Sequence, residues 1–219
     1  MRKKRLIIFD LDGTLVNSRR DIANSVNFCL EKFGRLPMPE EKITAFIGDG
    51  TGRLISRVLG TGQRRPVRKF LELFYPHYLQ HCLDNTNFYP GIKKILPALA
   101  KKFFLAVVTN KYQEFTEKIL TGLGVRKYFS LIVGGDKTLN RKPHPEAIYY
   151  CLKRLSIGSQ DTVVVGDSPN DILAAKASGC WSVAVGWGFA PVDFLRKFSP
   201  DAVATKPTEL KRLFFLLCA

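Results

Sequence analysis

Acidic residues are scarce in this chain: 19 Asp plus Glu face 34 Lys plus Arg in 219 residues, for a net charge of +15. Cysteine offers no framework either. Cys29, Cys82, Cys151, Cys180 and Cys218 are scattered and form no CxxC pair, which removes zinc-module spacing and speaks against a disulfide scaffold. No apolar run is long enough to cross a bilayer; the C-terminal LFFLLCA is far too short. The basic start, Met1 to Arg5, meets only Leu6 to Phe9 before Asp10, too little for the apolar region of a signal peptide. Repeats and low-complexity segments are missing as well. These absences lead to the expectation of a soluble, cytoplasmic protein. What is present, 46% hydrophobic and 11% aromatic residues with 24% charged, suits a globular chain with a substantial core. The excess of base leaves three classes of partner open: nucleic acid, anionic membrane, or small anions.

Short apolar runs recur along the chain: RLIIFD (5–10), FLAVVTN (104–110), YFSLIVGG (128–135), TVVVGD (162–167) and WSVAVGW (181–187). Continuous runs of this length suit strands buried on both faces, as in a parallel sheet. Between them lie helical patterns: GIKKILPALAKK, YQEFTEKILTGLG, PEAIYYCLKRLSIG and NDILAAKASGC. The alternation predicts a doubly wound α/β domain. Between Leu15 and Asn87 the rhythm stops, and only helical patterns occur, a stretch much longer than an ordinary crossover. The expected organisation is therefore an α/β core of residues 1–15 and 86–219, with residues 16–85 inserted as a helical cap. Hinges are expected near Val16 and in the segment from Asn85 to Pro90.

In open parallel sheets ligands bind beyond the carboxyl ends of the strands. There the first run ends Asp10-Leu11-Asp12-Gly13-Thr14, the second Thr109-Asn110-Lys111, and the fourth Gly166-Asp167-Ser168-Pro169-Asn170-Asp171. Asp10 and Asp12, two apart, lean toward one face of an extended strand end. Adding Asp167 and Asp171 to that edge concentrates negative charge, each close pair costing ~4 kcal/mol at an effective dielectric of ~20. Such a cluster calls for a cation, and oxygen donors without His or Cys call for a hard one, Mg²⁺ foremost. Lys142, Thr109, Asn110 and backbone amides around Gly13 are the groups that would receive a phosphoryl moiety. Asp10 then reads as a nucleophile, and Asp12 as the acid that protonates the leaving alcohol and the base that activates water.

With these residues in view, the chain resembles the haloacid dehalogenase superfamily in its phosphatase branch. FDLDGTLVNS carries the DxDGT signature, TNK the second-motif Thr, KPHP the third-motif Lys, and GDSPND the acidic fourth motif. The resemblance implies a Rossmann-like core and a helical cap that closes over the site and selects substrate. It also implies Asp10 as nucleophile and Mg²⁺ ligand, with Asp12 as general acid/base that lends its backbone carbonyl to the metal. Asp167 would be the third metal ligand and Asp171 a supporting carboxylate behind it. Thr109 and Lys142 would hold the phosphoryl group, and Asn110 would line the pocket. The acidic Asp12 points to phosphoester hydrolysis, because carbon-halide displacement needs no proton on the leaving group. Narrower similarity, to phosphoglycolate phosphatases and their close relatives, rests on FIGDGTGRLI, VVTNK, GGD and WGF. Pyrophosphatase-like and sugar-phosphate or nucleotide phosphatase relatives share much of it, and Asn17 stands where many relatives have Asp. The implied substrate is a small phosphorylated metabolite such as 2-phosphoglycolate.

Other features have blander readings beside the functional ones. Asp171 also suits a helix N-cap, and Asn110 a structural turn. Gly48-Asp49-Gly50-Thr51-Gly52-Arg53 lacks the βαβ setting of a dinucleotide loop. It reads either as a specificity loop in which Arg53 meets an anion, or as a plain helix start. His77 and His81 have metal-ligand spacing but no third ligand, so packing or surface roles are expected. Arg64, Arg65, Arg68 and Lys69 read as a solvated helix face without a nucleic-acid motif. Residues 16–85 carry a net +4, and the remaining +11 is dispersed over the rest. Neither a nucleic-acid nor a membrane partner is expected. A phospho-accepting signalling domain uses similar Asp, Thr and Lys groups, but needs neither Asp12 as a proton donor nor a large cap.

Overall fold

Continuous apolar strands bury both faces, and this governs the architecture in the computed structural model, which describes residues 5–216. The expectations attached to Met1 to Lys4 and to Cys218 lie outside these residues. In chain order the elements are β1 (Leu6–Phe9), β2 (Val16–Asn17), α1 (Arg19–Lys32), α2 (Glu40–Thr44), α3 (Thr51–Leu59) and α4 (Arg64–His81). There follow β3 (Asn87–Phe88), α5 (Ile92–Ala100), β4 (Phe104–Val108), α6 (Gln113–Gly122), β5 (Leu131–Val133) and α7 (Glu146–Leu155). The chain ends with β6 (Thr162–Gly166), α8 (Pro169–Ala177), β7 (Trp181–Val185), α9 (Val192–Arg196), β8 (Ala202–Ala204) and α10 (Pro207–Leu216).

Six strands form one parallel sheet in the order β5-β4-β1-β6-β7-β8. All five expected strands are in it. The two faces divide by the strand period of two: Ile7 and Phe9 pack into one core, Leu6 and Ile8 into the other. β4 repeats the division, with Leu105 and Val107 on one side and Ala106 and Val108 on the other. From β1 the chain moves to β4 and β5 on one side, then returns to β6 on the opposite side of β1. The crevice where the order reverses therefore lies beyond the carboxyl ends of β1 and β6, where Asp10 and Asp167 follow their strands.

Helices α1 to α4 occupy the interval between β2 and β3, and those two short strands pair antiparallel at its root. Buried Asp21 in the first turn of α1 ties the root together. Its carboxylate accepts from the backbone amides of Asn85 and Thr86, from Asn85 Nδ2 and from Thr86 Oγ1, at 2.7–3.0 Å. Both expected hinge segments are thus joined to each other. α4 starts at Arg64 with Pro66 in its first turn, where a missing amide costs no helical hydrogen bond. β8 and α9 had no apolar run long enough to announce them. His77 stacks on Phe28 at 3.9 Å and bonds Ser25 Oγ at 3.0 Å, while His81 pairs with Asp84. Arg64, Arg65, Arg68 and Lys69 are exposed on α4. Among the described residues no helix is long and apolar enough to cross a membrane.

Candidate active site

Asp10 leaves β1 with its amide bonded to Val165 O at 2.9 Å, which fixes it against the end of β6. Lys142 reaches it from the loop before α7. The lysine Nζ lies 2.9 Å from Asp10 Oδ1, 2.5 Å from Asp171 Oδ1 and 2.7 Å from Val108 O. Its ammonium is buried, so each donor is met by a protein acceptor. Burial alone would lower the Lys142 pKa, but Asp10 and Asp171 override it and hold the group above its ordinary value. Asp171 serves twice: its other oxygen accepts from Ser168 N at 3.1 Å and Ser168 Oγ at 2.6 Å, closing a capping box at the start of α8. Asp167 accepts from Thr14 Oγ1 at 3.1 Å and from Phe189 N at 2.7 Å.

Asp10, Asp167 and Asp171 place carboxylate oxygens within 4.8 Å of one another, all buried. Lys142 is the cation in contact with two of them. When all three carboxyls are ionised, one ammonium leaves two negative charges, the deficit that a divalent cation with a preference for oxygen would fill. Backbone space is reserved around them. A Cβ on Gly13 (φ +84°) would lie 2.0 Å from Asp167 Oδ2, and one on Gly188 would lie 2.2 Å from Asp167 Cβ. The residues present fit Mg²⁺. Burial pushes the Asp10 carboxyl up to about 6, with Asp171 and Asp12 adding to the rise and Lys142 opposing it. Burial, then Asp10 and Asp171, push Asp167 well above the usual carboxylate range.

A pH dependence follows from these directions. Both carboxyls hold protons more tightly in the folded than in the unfolded chain. Their contribution to stability is therefore greatest in acid, and it is lost as pH rises from the unfolded carboxylate range through the folded values. A divalent cation offsets the loss. Mg²⁺ should raise the melting temperature by several degrees at about pH 7.5 and much less at about pH 5. Equal gains at the two pH values in a thermal melt would contradict this.

Asp12 stands apart from that cluster. Its Oδ1 accepts from Ser18 Oγ at 2.5 Å, and its Oδ2 lies 3.0 Å from Lys111 Nζ. Lys111 in turn donates to the Tyr78 hydroxyl at 2.8 Å. Asp10 and Asp12 both line a cavity of about 460 Å³. Its far wall comes from the helical segment, where Ile22, Leu54, Phe74 and Tyr78 give it an apolar surface.

Thr109 and Asn110 line the same cavity, but Asn110 is fully committed: Nδ2 donates to Gly48 O and Lys142 O, and Oδ1 accepts from Lys142 N. Asn110 therefore positions Lys142 and seats the Gly48 loop, with no side-chain N–H left over for a substrate. Gly13's own amide donates to Val16 O at 2.9 Å, so this glycine supplies backbone conformation and space for Asp167, and only the neighbouring amides are left to the expected cradle. Arg53 differs from expectation. It lines a neighbouring cavity of about 870 Å³ with Arg141 and His144. One helical turn further along α3, Arg57 lines the catalytic cavity, paired with Asp49. Asp49 also accepts from Asn170 Nδ2 at 2.8 Å, joining the helical segment to the start of α8. Lys111, Arg57 and Asn170 are among the polar groups at this site that sequence reasoning missed, as are Ser18, Thr14 and Tyr78. The TNK tripeptide contained the signal for Lys111, and GDSPND that for Asn170.

A doubly wound parallel sheet with buried carboxylates and a lysine at its switch point defines an α/β protein whose charges can hold an anion beside a cation. The model of the haloacid dehalogenase-like hydrolases matches residues 7–185. A phosphoglycolate phosphatase of Chromobacterium violaceum is 38% identical over 198 residues, covering 87% of this chain and 89% of that protein. One from Aquifex aeolicus is 37% identical over 210 residues, covering 95% and 96%. A crystal structure from Haemophilus somnus, described as a predicted phosphoglycolate phosphatase, superimposes with a TM-score of 0.88 at 31% identity, covering 97% of this chain and 99% of that one. The chain belongs to the haloacid dehalogenase-like hydrolase family, within its phosphatase branch.

Proposed function

We propose that this enzyme hydrolyses small phosphomonoesters, 2-phosphoglycolate foremost, through an aspartyl-phosphate on Asp10, with residues 16–85 acting as a cap over the site. The observation that carries this reading is the division of labour between two carboxylates lining one cavity. Asp10 is held by Lys142 inside the buried cluster, and Asp12 by Ser18 and Lys111 outside it. Two carboxyls in separate hydrogen-bond settings within reach of one ligand can take separate parts in one reaction. The names of the relatives supply the choice of substrate, and a cavity of about 460 Å³ suits a small metabolite.

Asp10 Oδ attacks phosphorus, and the bond from phosphorus to the alcohol oxygen breaks as Asp12 gives that oxygen a proton. Asp12, now a carboxylate, takes a proton from water as the water oxygen attacks phosphorus. The acyl phosphate then breaks, releasing inorganic phosphate and restoring Asp10. Lys142 neutralises charge beside the nucleophile, and Thr109 lies where it can donate to a phosphoryl oxygen. Mg²⁺, held by Asp10, Asp167 and the Asp12 carbonyl with Asp171 in support, would offset the charge of the phosphoryl group. Ile22, Leu54 and Phe74 exclude water from the far wall.

A screen of phosphate release with Mg²⁺, over phosphoglycolate, pyrophosphate, sugar phosphates and nucleotides, tests the reading by comparing kcat/KM. Phosphoglycolate should lead. Inactivity toward it beside strong turnover of another compound would overturn the substrate. Phosphorylation without multiple turnover on any compound would instead favour a phospho-accepting signalling domain.

A further inference from the structure

We propose that Lys111 is a positioning residue for Asp12, linking the orientation of the proton donor to the seating of α4 through the Tyr78 hydroxyl. The proposal rests on the hydrolytic reading above and extends it to a residue outside the four motif positions. Lys111 is only 7% exposed, so its ammonium depends on protein partners. It has two, Asp12 Oδ2 at 3.0 Å and Tyr78 OH at 2.8 Å, and its Nζ also lies 4.5 Å from the centroid of the Tyr78 ring.

The backbone of Lys111 is pinned to the core. Its amide donates to Thr109 Oγ1 at 3.3 Å, and its carbonyl accepts from Gly135 N at 2.7 Å. Tyr78 belongs to α4, where Phe74 stacks on it at 5.3 Å and Phe115 of α6 meets it edge-on at 4.9 Å. Burial keeps the Tyr78 hydroxyl protonated, its pKa well above the usual phenol range. Ser18, which holds the other oxygen of Asp12, is the residue immediately before α1. The nucleophile is therefore held by a lysine of the α/β core. The proton donor is held by groups that touch or belong to the helical segment. Withdrawing α4 removes a partner from Lys111 and frees its side chain from the place that fixes Asp12. Correct aim of the proton donor thus coincides with a seated helical segment.

Dependence of rate on the leaving group reads this directly, because a leaving group of low pKa departs without a proton and one of high pKa does not. The experiment measures kcat/KM with Mg²⁺ for a series from p-nitrophenyl phosphate through phenyl phosphate to ethyl phosphate, none of which bears a carboxylate. The wild-type enzyme should show a shallow dependence on leaving-group pKa. Lys111→Met should steepen it, losing about 100-fold on ethyl phosphate and less than about 3-fold on p-nitrophenyl phosphate. Tyr78→Phe keeps the ring and should change the slope in the same direction by about tenfold, giving a second measure if the lysine variant folds poorly. Equal losses along the series in both variants would overturn the proposal. So would a loss confined to phosphoglycolate, assayed beside the series, which would make Lys111 a contact for the substrate carboxylate. A wild-type enzyme inert toward every phosphoester would overturn the hydrolytic reading itself, and the proposal with it.

Discussion

Asp10→Asn should reduce kcat/KM on every phosphoester by roughly 10⁴- to 10⁶-fold while leaving the protein folded. A neutral carboxamide is too weak a nucleophile to displace the alcohol from phosphorus, and the shape is nearly unchanged. Stability should not fall, because one of three buried carboxylates within 4.8 Å loses its charge while Lys142 keeps Asp171 at 2.5 Å. The melting temperature in EDTA should equal or exceed that of the wild type, and the gain on adding Mg²⁺ should shrink. Steady-state kinetics and thermal melts check both halves. Near-normal, EDTA-sensitive turnover by the purified variant would remove Asp10 as the nucleophile.

Lys142→Met should be the opposite kind of variant, costly to fold and function together. Methionine fills the space of the aliphatic stem but leaves Asp10 and Asp171 buried without their cation, and Val108 O without its donor. Removing one partner of a buried pair costs about 3–5 kcal/mol, which at this chain length lowers the melting temperature by roughly 10 °C. The loss should be smaller in mild acid, where protonation of the stranded carboxyls relieves it, and smaller with Mg²⁺ present. Chemical denaturation at two pH values checks this. A variant as stable as the wild type at neutral pH would show that the carboxylates are compensated from elsewhere.

The sheet was legible because each central strand is an unbroken apolar run, and alternation of faces needs nothing more than the period of two. β8, with Ala202 and Ala204 as its small apolar residues, has no such run and was invisible. Asp10, Asp12, Asp167 and Lys142 were legible because strand-end carboxylates and a lysine in that order have a chemical meaning together. Asp21 was not. In the sequence it is an acidic residue at a helix start, and its four donors come from Asn85 and Thr86, 64 and 65 positions away. Lys111 was hidden in the same way, since its meaning lies in Asp12 and Tyr78, which only the fold brings to it. Arg53 and Arg57 illustrate a finer limit: both are basic and one turn apart on α3, and axial position alone decides which faces the catalytic cavity.

The large positive charge has also found its place. Lys142, Lys111 and Arg57 are basic groups at the catalytic cavity, and each is paired with a carboxylate there. The net +15 therefore lies mainly outside the cavity, where it is available to draw anionic substrates inward at low ionic strength.

An aspartyl-phosphate on Asp10 is a covalent state that can be trapped. Enzyme with Mg²⁺ is mixed with phosphoglycolate, quenched in acid during turnover, and treated with borohydride, which converts an aspartyl-phosphate to homoserine; peptide mass spectrometry then locates the change. Homoserine should appear at position 10 and be absent from samples quenched after substrate is exhausted. Conversion at another residue, or none under conditions where Asp10→Asn is inactive and a control acyl phosphate is trapped, would contradict Asp10 as the nucleophile.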